Sequence, residues 1–180
     1  MTRHLAFLFI KIGLTIPVGY ALVYSFTNRS AGGIFKEVEA LGFPANVVLI
    51  AAFLVIVFMY CRDLQRSLSL VRPSARTAAP RSVWLMFLIP YNFVEDFFII
   101  SNVASSLRRE AQHNTALNSF KSFGTVSGLG WCAAQIVSLL PHEIGSVAGM
   151  LTFLLWVIHW RFIRRVNAVL GKTMRVRPYN

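Results

Sequence analysis

The chain has 180 residues, 56% of them apolar, and carries 18 Lys and Arg against 7 Asp and Glu, a net charge of +11. With a mean hydropathy of +0.58 and no Asp, Glu, Lys or Arg in 44–61, 122–142 or 144–160, it has runs near the ~20 residues of a bilayer crossing, which a soluble domain does not need. The basic charge then belongs to loops facing anionic headgroups rather than to nucleic acid, and two cysteines, Cys61 and Cys132, exclude a disulfide framework, a C-x-x-C redox site and a four-thiolate zinc centre.

The first apolar stretch, 5–26, is interrupted only by Lys11. It outruns the short apolar core of a secretory signal and no small-residue cleavage site follows, so it reads as a retained span. Lys11 lies about two turns from its start. It either snorkels to the interface along its four-carbon stem or serves as a functional lysine inside the bundle. A loop over 27–43 carries Arg29, Lys36, Glu37 and Glu39, and the second span is 44–61. The Arg-, Ser- and Pro-rich stretch 62–82 extends the second helix until Arg72-Pro73 breaks it.

Segment 83–107 is apolar but holds Pro90, Asn92, Glu95, Asp96 and Asn102. A carboxylate at mid-membrane costs a few kcal/mol. If it crossed, the basic residues would divide seven and eleven between the two sides. If it does not, sixteen fall on one side and two on the other, which is the positive-inside pattern. As a helix it sorts Asn92, Glu95, Asp96, Asn102, Ser106 and Arg109 from Phe93, Phe97, Ile100, Ala104 and Leu107. The expectation is therefore an amphipathic helix lying on the cytoplasmic face, its acids solvated, with a re-entrant element lining a polar cavity and a true fifth span as the alternatives. Spans at 123–140 and 144–163 follow, joined by a tight turn at Pro141, His142 and Glu143.

The fold class expected is an all-α integral membrane protein. It is one domain, 1–180, a four-helix transmembrane bundle with an amphipathic or re-entrant cytoplasmic-side helix between spans two and three. The excess of Arg over Lys suggests a bacterial source. The localisation expected is the bacterial inner membrane, with both termini cytoplasmic.

Several residues carry candidate chemistry. Glu95 and Asp96 point about 100° apart on a helix and cannot act as a facing pair; either can meet Lys11, Arg108 or Arg109. His113 could join them at a metal, but no H-x-x-x-H or H-E-x-x-H spacing supports it, and no metal or cofactor is expected. The scattered His4, His113, His142 and His159 do not form the paired ligands of a transmembrane haem. Gly124-x-x-x-Gly128 and Gly145-x-x-x-Gly149 allow close helix approach, within the chain rather than between chains. Arg62, Arg66, Arg108, Arg109, Arg161, Arg164 and Arg165 read as contacts to headgroups or to an acidic partner.

No phosphate-cradling loop, G-x-S-x-G nucleophile or internal repeat is present. The reading placed first is a protein acting through helix–helix contact, with a membrane-protein partner or a second copy. It would be an accessory subunit of a complex or an immunity-type protein against a membrane-acting toxin. The alternative is an oligomeric channel or small transporter with a polar path through Lys11, Asn92, Glu95 and Asp96. A lipid-handling enzyme built on Glu95, Asp96 and His113 comes third.

Overall fold

The structure, a computed structural model, describes residues 2–27 and 42–176. The expected outer loop with Arg29, Lys36, Glu37 and Glu39 lies outside the described residues, as does the side chain of His4. Every described element is helical: α1 (Thr2–Thr27), α2 (Phe43–Leu70), α3 (Asn92–Ala111), α4 (Thr125–Val137) and α5 (His142–Val176). A 3-10 helix over Pro80–Phe87 precedes α3, and shorter 3-10 turns occupy Pro73–Ala75 and Thr115–Leu117.

Three helices are long and apolar enough to cross a membrane, through Leu5–Tyr24, Phe43–Leu70 and His142–Thr173. Gly42, at a φ of 80°, precedes helix α2, which carries Pro44 in its first turn and ends before Val71-Arg72-Pro73. The proline removes a donor and clashes with the preceding turn, so the helix stops there. The segment expected as a third crossing, 123–140, forms a shorter helix. Its 13 residues rise only ~20 Å, against ~30 Å of hydrocarbon. Left-handed residues bound it: Phe123 at φ 50° and Gly124 at φ 74° on one side, His142 at φ 69° on the other. Helix α4 runs antiparallel to α5, as glycine contacts show. A Cβ on Gly124 would meet Phe162, one on Gly130 would meet Leu155, and one on Gly145 would collide with the Leu140 carbonyl.

Helices α2 and α5 change character along their length. From Phe43 to Met59 most large side chains of α2 are exposed, and so are those of α5 from Ile144 to Ile158. Beyond Tyr60 and His159 the same helices bury Cys61, Leu64, Leu68, Ile163, Val166 and Leu170 in a packed core with Val83, Ile99, Ile100 and Leu107. The molecule thus has an apolar layer with its side chains turned outward and a packed lower layer.

The expectation that the acids of helix α3 are solvated is corrected. Helix α3 is enclosed, packed against α4, the Pro80–Phe87 helix, α1 and α2, and its acids Glu95, Asp96 and Glu110 are buried. Its polar stripe meets protein partners instead of water. Lys11 takes Glu95, Thr77 takes Ser106 and the Asn102 carbonyl, and Arg72 takes Glu110. A turn through the cis Ile89–Pro90 peptide joins the 3-10 helix to α3. Its Ile89 is 68% exposed, and Gly19 of α1 packs on Pro90.

Candidate functional site, a buried polar seam along the third helix

The seam starts from two adjacent acids aimed at different neighbours. Glu95 turns to α1, where Lys11 Nζ lies 2.7 Å from its Oε2, with the lysine side chain 19% exposed. The ammonium also sits 4.2 Å from the centre of the Phe98 ring, a cation–π contact that a partly desolvated site strengthens. Tyr91, one turn before Glu95, joins this end. Desolvation and then the hydrogen bond to Glu95 push its hydroxyl up to about 12.

Asp96 turns inward. It is 2% exposed, and its Oδ1 has no hydrogen-bond partner. Tyr60 and Cys61 of α2 and Cys132 of α4 lie within its electrostatic reach. Burial, and secondly the charge of Glu95, raises its carboxyl well above the usual aspartate range, because a low-dielectric site disfavours the charged form. One turn earlier on the same helix face, buried Asn92 presents an Oδ1 that is also unpartnered.

Below the acids, the Tyr60 hydroxyl lies 2.8 Å from His159 Nδ1. Trp131, Trp156 and Trp160 surround the Tyr60 ring edge-on. Trp160 Nε1 donates to Asp63 at 2.7 Å, and Ser67 donates to Asn167 Oδ1 at 2.7 Å. These links tie α2 to α5 where the exposed layer gives way to the packed one. An apolar cleft of about 530 Å³ flanks the seam between α1, α3 and α4, lined by Leu14, Pro17, Val18, Phe97 and Ile136 among others.

Of the residues singled out from sequence, Lys11, Glu95, Asp96 and Asn92 come together. His113 does not: it is exposed past the far end of α3, 17 residues or ~26 Å of helix from Asp96. The constellation for a lipid-handling enzyme is therefore not assembled. Among the described residues no group of three His, Cys, Asp or Glu could hold a metal ion. Arg62, Arg66, Arg108, Arg109, Arg161, Arg164 and Arg165 are all exposed around the packed layer. Gly124 and Gly128 face α5, Gly128 also faces Ile100 of α3, and Gly145 and Gly149 face the end of α4.

Sequence reasoning missed the Tyr60–His159 pair, which spans 99 positions. It also missed Gln135, whose Oε1 is a third buried acceptor near α3 without a partner. The one trace of it in the sequence is that Gln135 is the lone carboxamide in the uncharged run 122–142. No family model, curated protein or solved structure matches the chain.

Proposed function

We propose that this protein is a small polytopic membrane protein that conducts or carries a cation, as an oligomeric channel or small transporter, along the seam of Lys11, Asn92, Glu95 and Asp96. The supporting observation is the enclosure of that seam: an ion pair and an unpartnered acid lie inside the bundle. Ionisable groups at membrane depth are costly and mark ion or proton pathways.

The proposed topology has four crossings in a bacterial inner membrane, with the packed layer and both termini on the cytoplasmic side. Exposed arginines around the packed layer support it. So does the course of the α4 segment from Gly124 to Leu140, which accompanies α5 from Phe162 to Gly145 over ~25 Å. The Pro80–Phe87 helix and α3 then form a hairpin that re-enters from the cytoplasmic side, with the apolar tip Leu88-Ile89-Pro90 uppermost.

Cation flux into liposomes tests the function. Purified protein gives flux above empty vesicles, and Glu95→Gln and Asp96→Asn each cut it by about tenfold or more. Flux unchanged in both variants sinks the proposal.

A second reading, helix–helix contact with a partner as an accessory subunit or immunity-type protein, is favoured by one observation. Helix α1 packs chiefly on α3, and nothing lies within 4 Å of where a Cβ on Gly13 would sit. That leaves a notch open to another helix. Under this reading Gly13→Leu dissolves a cross-linked complex and leaves the monomer folded.

A further inference from the structure

We infer that Asn92, Asp96 and Gln135 form a site for one dehydrated monovalent cation of the sodium class, bound in exchange for the Asp96 proton. The inference deepens the cation-handling reading but does not require that the ion be transported.

Of the five buried side-chain N and O atoms without a hydrogen-bond partner among the described residues, three are Asn92 Oδ1, Asp96 Oδ1 and Gln135 Oε1. Buried polar atoms are nearly always satisfied, so orphans call for a missing water or ion. Helix register puts the three at one level of the α3–α4 contact. Asn92 and Asp96 stand one turn apart on α3. On α4, a Cβ at Gly128 would touch Ile100, Cys132 lies within electrostatic reach of Asp96, and Leu139 clusters with Phe93. Gln135 falls between Cys132 and Leu139 on that same α3-facing stripe, at the level of Asn92 and Asp96.

The charge count selects the ligand. Glu95 is already neutralised by Lys11, so the site offers one carboxylate and two neutral carbonyl oxygens. Calcium and magnesium need more oxygens and more negative charge. A proton on Asp96 lets its O–H donate to one amide oxygen and leaves the other unsatisfied. An alkali cation can engage all three. The exchange balances: the carboxylic acid loses its proton to solvent as the carboxylate takes up the cation. The titratable groups within electrostatic reach of Asp96 are Tyr60 and Cys61 from α2, Cys132 from α4 and Glu95 from α3 itself; His159 of α5 is paired with Tyr60 and Lys11 of α1 with Glu95. None but Lys11 is a cation to compete for the site, and Lys11 is held by Glu95.

The test uses the full chain in detergent, titrated with sodium chloride against choline chloride at equal ionic strength. Two readouts are followed: thermal unfolding, and the infrared band of the protonated Asp96 carboxyl. Sodium is expected to raise the unfolding temperature and bleach the carboxyl band, with apparent affinity falling about tenfold per unit drop in pH where Asp96 is protonated. Asp96→Asn abolishes both responses. Asn92→Ala and Gln135→Ala each weaken sodium binding about tenfold. A carboxyl band indifferent to sodium in the folded wild-type protein overturns the inference and assigns the orphan oxygens to an internal water. Absence of liposome flux with sodium binding intact sinks only the transport reading.

Discussion

At the scale of residues, Asp96 and Glu95 differ in what burial asks of them. Glu95 lies beside the Lys11 ammonium, whereas burial, and then the neighbouring Glu95, raises the Asp96 carboxyl above the usual aspartate range. In its native site Asp96 stays protonated to a higher pH than in the unfolded chain, whose aspartate releases its proton near ~3.9. The native state then binds more protons than the unfolded one, so this group's contribution is complete at low pH and is lost as pH rises through the native value. In sodium-free buffer, the stability of Asp96→Asn relative to wild type should therefore rise with pH from ~3.9 up to the native value and level off above it; a margin that narrows over that interval contradicts the burial argument. The Lys11–Glu95 pair behaves oppositely. Glu95→Gln strands an ammonium in a mostly desolvated place and should cost about 3 kcal/mol of unfolding free energy. Lys11→Met combined with Glu95→Met should recover most of that loss, as an apolar pair commonly does. Additive costs in the double variant would show that the pair is not coupled.

At the scale of elements, the glycines decide how close α4 can come. A Cβ on Gly128 would lie 2.5 Å from Ile100 Cγ2 and 2.9 Å from His159 Nε2, and His159 is held by Tyr60. Gly128→Ala should thus cost about 1–3 kcal/mol by overpacking, whereas Gly13→Ala, facing open space, should cost none by that route. Comparable unfolding temperatures for the two variants would refute the close packing of α3, α4 and α5. The elements also show which parts of the fold were legible. Long apolar runs and a helix break at Arg72-Pro73 mark α1, α2 and α5 directly. Helix α3 was recognised as amphipathic, yet its surroundings were misjudged. A polar stripe has the same periodicity whether it meets water or side chains, and its partners Lys11, Arg72 and Thr77 lie 84, 38 and 29 positions away. The site was legible on the α3 side for the same reason: acids in an apolar segment stand out. Gln135 did not, because a lone amide in an apolar run gains meaning only when α4 turns it toward α3.

At the scale of the whole molecule, the exposed apolar surface of α1, upper α2 and upper α5 requires lipid or detergent around it. The packed layer, ringed by arginines, does not. The proposed topology makes a direct statement about access. In intact cells a single cysteine at exposed Thr115, in the Cys61→Ala/Cys132→Ala background, should resist a membrane-impermeant thiol reagent and react after lysis. A cysteine at His142 should react without lysis. The reverse pattern would turn the molecule over, and labelling of both from outside would remove the crossing assigned to α4.

The change in character halfway along α2 and α5 has a consequence for how the protein yields to stress. Each helix is one continuous hydrogen-bonded rod with two different supports, solvent tails above and interlocked side chains below. Replacing bilayer by a harsh detergent alters the first support and leaves the second in place. Backbone amide exchange should therefore quicken above Tyr60 and His159 and hold steady beneath them. The boundary between fast and slow exchange would then fall at the ring of Trp131, Trp156 and Trp160, inside single helices rather than between them.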